Sequence, residues 1–421
     1  MSISLPVIPL ATPGQRYSCH GCGHCCRDFT VQLREADRER LDRQAWTARL
    51  GFDPTIKLRG QHYLRQREDG SCIFLKSDGR CQVHAEFGFE EKPIACRFFP
   101  YMLSPASASV RMGVSFACQS VVENKGSVYN AQAGEAQRMA GEIPEALAPA
   151  GEAHLARKRP AEPGELEGLE RRLVPWIGGP EPLATRLDGL AWLASTLAAA
   201  NLDRVRGSRF VELVDTLVTH LADELPHHPV APAEPRERML LRGAVFARLE
   251  DPKLAIGGRL GRWAGALEQG WRYWRWRGEN PSRLVPRVRG LDGPAVTFGA
   301  VESVHGIMQS PALTECDELL TRWIRASIEG GRVWGSGYYG WSAVDGLFAL
   351  SLSTACVGWV ARLSAAMAGR TAPDLTDLRV AVRRIDRSAG RAPWLGGNTE
   401  RVRLAWFRQY GELRRVLAEQ Y

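Results

Sequence analysis

The stretch CHGCGHCC, Cys19 to Cys26, puts four cysteines into eight positions. Cys72, Cys81, Cys96 and Cys118 follow within the first 118 residues, while Cys316 and Cys356 stand alone far downstream. Disulfides would need an oxidising compartment. The opening MSISLPVIPLATPGQ has no basic start and no apolar core, so it does not read as an export signal. Unligated core thiols come in ones and twos, not four to an octapeptide. Metal ligation is the reading that remains.

The spacing supports it. Cys19, Cys22 and Cys25 are three apart, so a short looped backbone can aim three sulfurs at one centre. With a remote fourth cysteine, this is the ligand logic of bacterial ferredoxin clusters. Cys26, beside Cys25, bonds another metal atom or stays free. One four-cysteine site leaves four of the eight, enough for a second. The eight could equally serve one cluster with spectators, two clusters, or two zinc ions in four-thiolate sites. Residues 1–130 carry 17 Lys and Arg against 13 Asp and Glu, a surplus of four. Eight thiolates would reverse that sign unless cations were bound. His20, His24 and His84 could ligate zinc, but with thiolates in excess they read as neighbours of the site. Between the metals, a [4Fe-4S] cluster is favoured over zinc, because zinc sites usually come as separated C-x2-C pairs.

The pattern extends beyond the octapeptide. CHGCGHCC, then GSCIFLKSDGRCQVH, then KPIACRFFP resemble the YkgJ-type cysteine-cluster family, described as a zinc- or iron-chelating domain. In that family a C-x2-C-x2-CC opening precedes C-x-F-L, C-x-[VI]-[YH] and R-P-x-x-C-R-x-F-P. Lys92 stands where Arg is usual, and His84 where Tyr is common, which argues against His84 as an obligatory ligand. The resemblance covers residues 17 to about 102. It implies Cys19, Cys22, Cys25, Cys26, Cys72, Cys81 and Cys96 as the motif cysteines. Cys118 joins them because a strand over VRMGVSFA could return it to the site. The layout of a cysteine module before a long helical region is similar to that of flagellin lysine N-methylases. That similarity implies a protein lysine N-methyltransferase using an iron–sulfur cluster, S-adenosylmethionine and a protein substrate. The alternative is a zinc-stabilised, non-catalytic binding or scaffold protein.

What must position these cysteines is a mainly α chain. The expected organisation is a small irregular cysteine-rich module with short strands over 1–130, a linker over 131–168, and a helical domain over 169–421. The linker reading rests on the Ala/Pro/Glu/Gly-rich stretch from Gly141 to Gly168, and a second break begins at Leu225. Helical spacing groups Leu183, Leu187, Leu190 and Leu197 on one face. It also groups Phe210, Leu213, Leu217 and Leu221, and Leu260, Trp263, Leu267, Trp271 and Trp274. Val402, Trp406, Leu413 and Leu417 form a last set after a cap at Thr399. Strands are expected at SCIFL and ASVRMGVSF. The apolar run Gly346 to Ala361 is shorter than the ~20 residues of a membrane span, so it reads as a buried helix. Gly330 to Gly346 reads as a packed loop ahead of it, and Cys316 and Cys356 read as core residues.

Net charge is +8, which permits an acidic partner without demanding one. The best basic-aromatic patch runs from Trp271 to Gly290. There Arg272, Arg275, Arg277, Arg283, Arg287 and Arg289 could meet phosphates while Tyr273 or Trp276 stacks on bases. Trp271 and Trp274 fit better as a core face, with the arginines snorkelling along it, so nucleic acid is set aside. Arg379 to Arg391 reads as a solvated helix end. No Gly-rich nucleotide fingerprint, P-loop, H-E-x-x-H or G-x-S-x-G occurs, and the x2–x2 cysteine spacing is not the x3–x2 of common radical S-adenosylmethionine enzymes. No catalytic residue is named. Reduced thiols and the lack of an export signal give a cytoplasmic expectation.

Overall fold

The computed structural model describes residues 5–9, 14–58, 60–106, 108–129, 133–250, 280–288, 290–410 and 412–421. The helical set Leu260 to Trp274 lies outside the described residues, as do Arg272, Tyr273, Arg275, Trp276, Arg277 and Arg289 of the basic patch.

The chain is mainly α, with short strands gathered near its start. Val110–Val114 lies between Val7–Pro9, to which it is parallel, and Tyr101–Pro105, to which it is antiparallel. The strand expected around VRMGV is therefore present. Its Val110, Met112 and Val114 are fully buried, as a strand pressed against a helical layer should be. A second small sheet orders Gln32–Leu33, Gln61–Leu64 and Thr55–Leu58. SCIFL is not a strand. It makes two isolated bridges, Gln66 to Cys72 and Leu75 to Cys81. Gly70 and Gly79, both at positive φ, close tight turns on either side and leave no run for a ladder.

Two cores result. The small one packs Leu33, Leu41, Trp46, Leu64, Phe74 and Val83, with Cys26, Cys81 and Cys96 against it. The main one begins in the same module, at Tyr17, Ile94, Phe98 and Met112, and continues through the helices. The stretch expected as a linker holds the helix Ala133–Gly141 and the strand His154–Ala156. Ala136, Ala140 and Leu155 are fully buried in the main core. Its alanines act there as small packing residues, which the composition of the segment concealed.

Ala343–Met367 is the central helix. Ser342 caps it, accepting from the Asp345 N–H at 3.2 Å. It is long and apolar enough to cross a membrane, and 94% of its apolar window is buried inside the protein. The preceding loop packs onto it so closely that a Cβ at Gly346 would lie 1.9 Å from the Val333 carbonyl oxygen. Leu183, Leu187, Leu190 and Leu197 share a buried face on Leu183–Ala199, and Cys316 and Cys356 are fully buried in helices. In Ser208–Thr219 the buried face is Phe210, Val214 and Val218 rather than the leucines. The last pattern is two helices, Asn398–Tyr410 and Leu413–Ala418. Thr399 sits inside the first of them, not at a cap. Leu404 and Phe407 are buried there while Val402 and Trp406 are half exposed.

Candidate metal centre

Cys25, Cys26 and Cys96 lie within short helices, and Cys81 and Cys118 immediately precede others. Gly21 and Gly23, at φ +70° and +71°, shape the Cys19–Cys25 loop, a conformation open to glycine. A Cβ on Gly23 would lie 2.9 Å from the Gly79 carbonyl oxygen, and one on Gly79 would lie 3.2 Å from that of Gly21. The two glycine loops thus meet backbone to backbone. The Cys72 N–H donates to the Cys26 carbonyl at 2.8 Å, and the Gln82 N–H, just after Cys81, donates to Phe74 at 2.8 Å. Cys96 lies in Ile94–Phe98, whose first N–H donates to the buried Asp37 carboxylate at 2.9 Å. Cys118 immediately precedes Gln119–Val122, and Ser120 Oγ in that helix donates to the Ser18 carbonyl.

These tethers bring the cysteines to adjoining cavity walls. Cys19, Cys22, Cys25, Cys26, Cys81, Cys96 and Cys118 line one cavity of about 520 Å³. An adjoining cavity of about 480 Å³ takes in Cys72 and shares Cys25, Cys26, Cys81 and Cys96. All eight N-terminal cysteines are therefore gathered, although long stretches of chain separate Cys26 from Cys72 and Cys96 from Cys118. The small core closes the first of those gaps, because Cys72 belongs to it and Cys26 packs against it. His20 and His84 line the first cavity, and His20 Nδ1 lies 2.5 Å from Ser120 Oγ. His24 does not line it; burial and the nearby Arg383 lower its pKa.

Burial dominates the electrostatics. It pushes the Cys72 thiol up to about 11 and the Cys118 thiol up to about 12. Cys96 is pushed well above the usual thiol range by burial and then by Cys72, and Cys25 by its hydrogen bond with Cys26 and then by burial. Without a cation these four thiols stay protonated at neutral pH. The charge reversal inferred from eight free thiolates is thereby replaced by proton release on metal binding.

The donor set fits a soft metal, for which thiolate is the preferred ligand. Among the described residues, no three His, Cys, Asp or Glu side chains close on a single point. A zinc ion holds each sulfur at roughly 2.3 Å from one centre. Here seven cysteines line one cavity without closing on a single point.

The helical region reaches this site, which the sequence did not reveal. Asp28, at the end of the Cys-bearing helix His24–Asp28, pairs with Arg383 at 3.2 Å and with Arg384 and Arg387 at 3.5 Å. These arginines belong to Leu375–Ser388. The stretch expected as a solvated helix end is instead a docking face, since its periodicity places three guanidiniums over one carboxylate. Arg322 donates to the Val121 and Val122 carbonyls at 3.2 Å, at the end of the Cys118-led helix.

Residues 18–126 match a family model, CxxCxxCC, described as a "Putative zinc- or iron-chelating domain". This segment is a cysteine-cluster domain of that family. The match spans all eight gathered cysteines, Cys118 included, and makes the chain a metal-binding protein. It ends at residue 126, ahead of the long helices that follow, so it carries none of the likeness in layout to flagellin lysine N-methylases. An uncharacterized protein of Methanocaldococcus jannaschii is 29% identical over 90 residues, which are 21% of this chain and 30% of that protein. The match thus spans less than a third of that relative's length. No solved structure matches.

Proposed function

We propose that the cysteine module holds an iron–sulfur cluster of the [4Fe-4S] type, and that the protein is a cluster-dependent protein-modifying enzyme. The observation that carries the cluster is the ring of seven cysteines around one cavity. In such a cluster each thiolate binds a separate iron, so its ligands need not close on one point, and a Cys19, Cys22, Cys25 run with a remote thiolate suits its ligation. Cys96 and Cys118 are the remote candidates, since both line the cavity that the run lines. The chain's own part is to hold the sulfurs, from exposed Cys19 to buried Cys72, and to set the cations Lys92 and Arg383 beside them. When bound, the cluster would supply redox or Lewis-acid chemistry. A protein lysine as acceptor and S-adenosylmethionine as methyl donor extend this reading on layout alone. Ten free cysteines fit a reducing, cytoplasmic setting.

A second reading is favoured by His20 and His84 on the cavity wall: zinc, held by thiolate and imidazole, stabilising a non-catalytic scaffold. Anaerobic purification followed by iron, zinc and acid-labile sulfide analysis separates the two. Brown protein with matching iron and sulfide is the expected result. Colourless protein with stoichiometric zinc would overturn the cluster reading.

A further inference from the structure

The cavity of about 480 Å³ beside the cysteine ring has a composition that metal binding does not explain. Phe29, Phe99, Tyr101, Met102 and Ile143 give it an apolar wall, with the Phe29 and Phe99 ring centroids 5.1 Å apart. Arg34, Lys92 and Arg391 bring three cations, against the single carboxylate of Glu145, which Arg34 already holds. Lys92 lies 5.2 Å from the Phe89 ring centroid. Arg391 donates to the Asp386 carbonyl at 3.3 Å and to the thioether sulfur of Met102 at 2.8 Å, with Phe29 beneath it. Lys92 pairs with no carboxylate among the described residues, and Arg391 makes no ion pair there, although the Asp386 carboxylate is near enough to act on its charge. A thioether is a weak acceptor for a guanidinium, so Arg391 keeps donor capacity facing the cavity. Thr30 also lines it, and its buried hydroxyl oxygen has no hydrogen-bond partner.

A largely apolar cavity with a few convergent polar groups is the usual form of a small-molecule site. We propose that this cavity binds a small molecule with a flat apolar body and one anionic group. The anion meets Arg391 and Lys92, and the body lies between Phe29, Tyr101 and Ile143. Cys25, Cys26, Cys81 and Cys96 form the wall shared with the other cavity. The ligand would therefore lie against the proposed cluster, and only that clause rests on the cluster reading. Such a site gives the protein a ligand to act on, which a scaffold does not require.

The test titrates the full-length protein, as purified anaerobically, with 1-anilinonaphthalene-8-sulfonate, an aromatic sulfonate. The neutral N-phenyl-1-naphthylamine serves as the uncharged control. One sulfonate per chain is expected, with the neutral probe bound more weakly. R391Q should weaken the sulfonate about tenfold, the scale of a charge-assisted hydrogen bond, and leave the neutral probe unchanged. R391K should recover part of the loss. I143F, which fills the cavity, should weaken both probes while circular dichroism and melting temperature stay unchanged. Equal sulfonate binding by wild type and folded R391Q would overturn the proposal. Should R391Q fail to fold, I143F decides: undiminished sulfonate binding by that variant overturns it as well. A colourless, iron-free protein that still binds the sulfonate in this pattern would leave the ligand site standing and remove the cluster.

Discussion

Asp386 accepts a hydrogen bond from Ser115 Oγ at 2.8 Å, across 271 positions of sequence. The same oxygen accepts from the Ala117 N–H at 3.1 Å, and the turn so held leads directly into Cys118. The other carboxylate oxygen accepts from Trp323 Nε1 at 3.1 Å and pairs with Arg332 at 3.1 Å. The helical region therefore fixes where the last cysteine of the ring stands. Asp386 is a positioning residue, acting on the site through a backbone turn.

Burial alone would raise the Asp386 pKa, but Arg332, Arg391 and the hydrogen bonds from Ser115 and Trp323 outweigh it and hold the carboxyl below its usual range. A lowered folded pKa means stabilisation that is complete above the unfolded value of roughly 3.9 and is lost as pH falls through the folded value. D386N keeps the shape and leaves Arg332 buried without its charge partner. It should destabilise the protein by about 3 kcal/mol and reduce metal retained per folded chain. Its melting temperature should also lack the acid-side component seen in wild type. Melting curves from neutral pH down to about pH 3 check this; wild-type and variant curves that run parallel would exclude the role.

The loop between Gly21 and Gly23 offers a paired test. Both glycines are at positive φ, so alanine at either costs about 1 kcal/mol of backbone strain. A methyl at position 21 would find only Arg80 Cγ, at 3.8 Å. At position 23 it would meet the Gly79 carbonyl at 2.9 Å, the Arg27 guanidinium at 3.0 Å and Leu75 Cδ1 at 3.1 Å. G23A should push the two glycine loops apart and lower metal content, whereas G21A should keep the metal and lose only a little stability. Equal metal content in the two variants would show that the loop contact does not set the site.

The octapeptide, GRCQVH and ACRFF name every cysteine of the ring except Cys118, because ligand spacing is a local property of sequence. The helical class was legible for the same reason: a 3.6-residue period shows wherever one face is buried, as in Leu183–Ala199. What stayed hidden depends on partners distant in the chain. Arg383, Arg384 and Arg387 read as solvated because Asp28 is more than 350 positions away. Ala136 and Ala140 read as linker because small residues carry little hydrophobic signal until something packs on them. Met102 and Ile143 gave no hint of a second cavity, since a cavity is a property of assembled walls.

Metal removal should not unfold residues 1–130 as a unit, because that segment contributes to two cores. The small core, Leu33 to Val83, packs directly against Cys26, Cys81 and Cys96 and has few residues of its own. It should depend on ligation, which supplies on the order of 10 kcal/mol in small zinc domains. Val110–Val114 lies against the helices and should persist. Hydrogen exchange after chelation should show lost protection over residues 31–90 and retained protection over 110–122 and the central helix. Loss across both regions together, or in neither, would contradict this division.

The cysteines themselves separate ligation from packing. Cys96 lines both cavities, and Cys356 is fully buried in the central helix and lines neither. Burial raises the thiol pKa of both, so pKa alone does not distinguish them; position does. C356A removes one buried sulfur from a packed core and should cost about 1 kcal/mol, with metal content unchanged. C96S keeps the volume nearly constant but replaces a soft ligand with a hard hydroxyl, so metal content should fall while the helical core melts close to its wild-type temperature. Metal analysis and melting temperature on the two variants give the comparison. If C356A lost as much metal as C96S, the loss would follow general destabilisation, and the assignment of the ring as the metal site would fail.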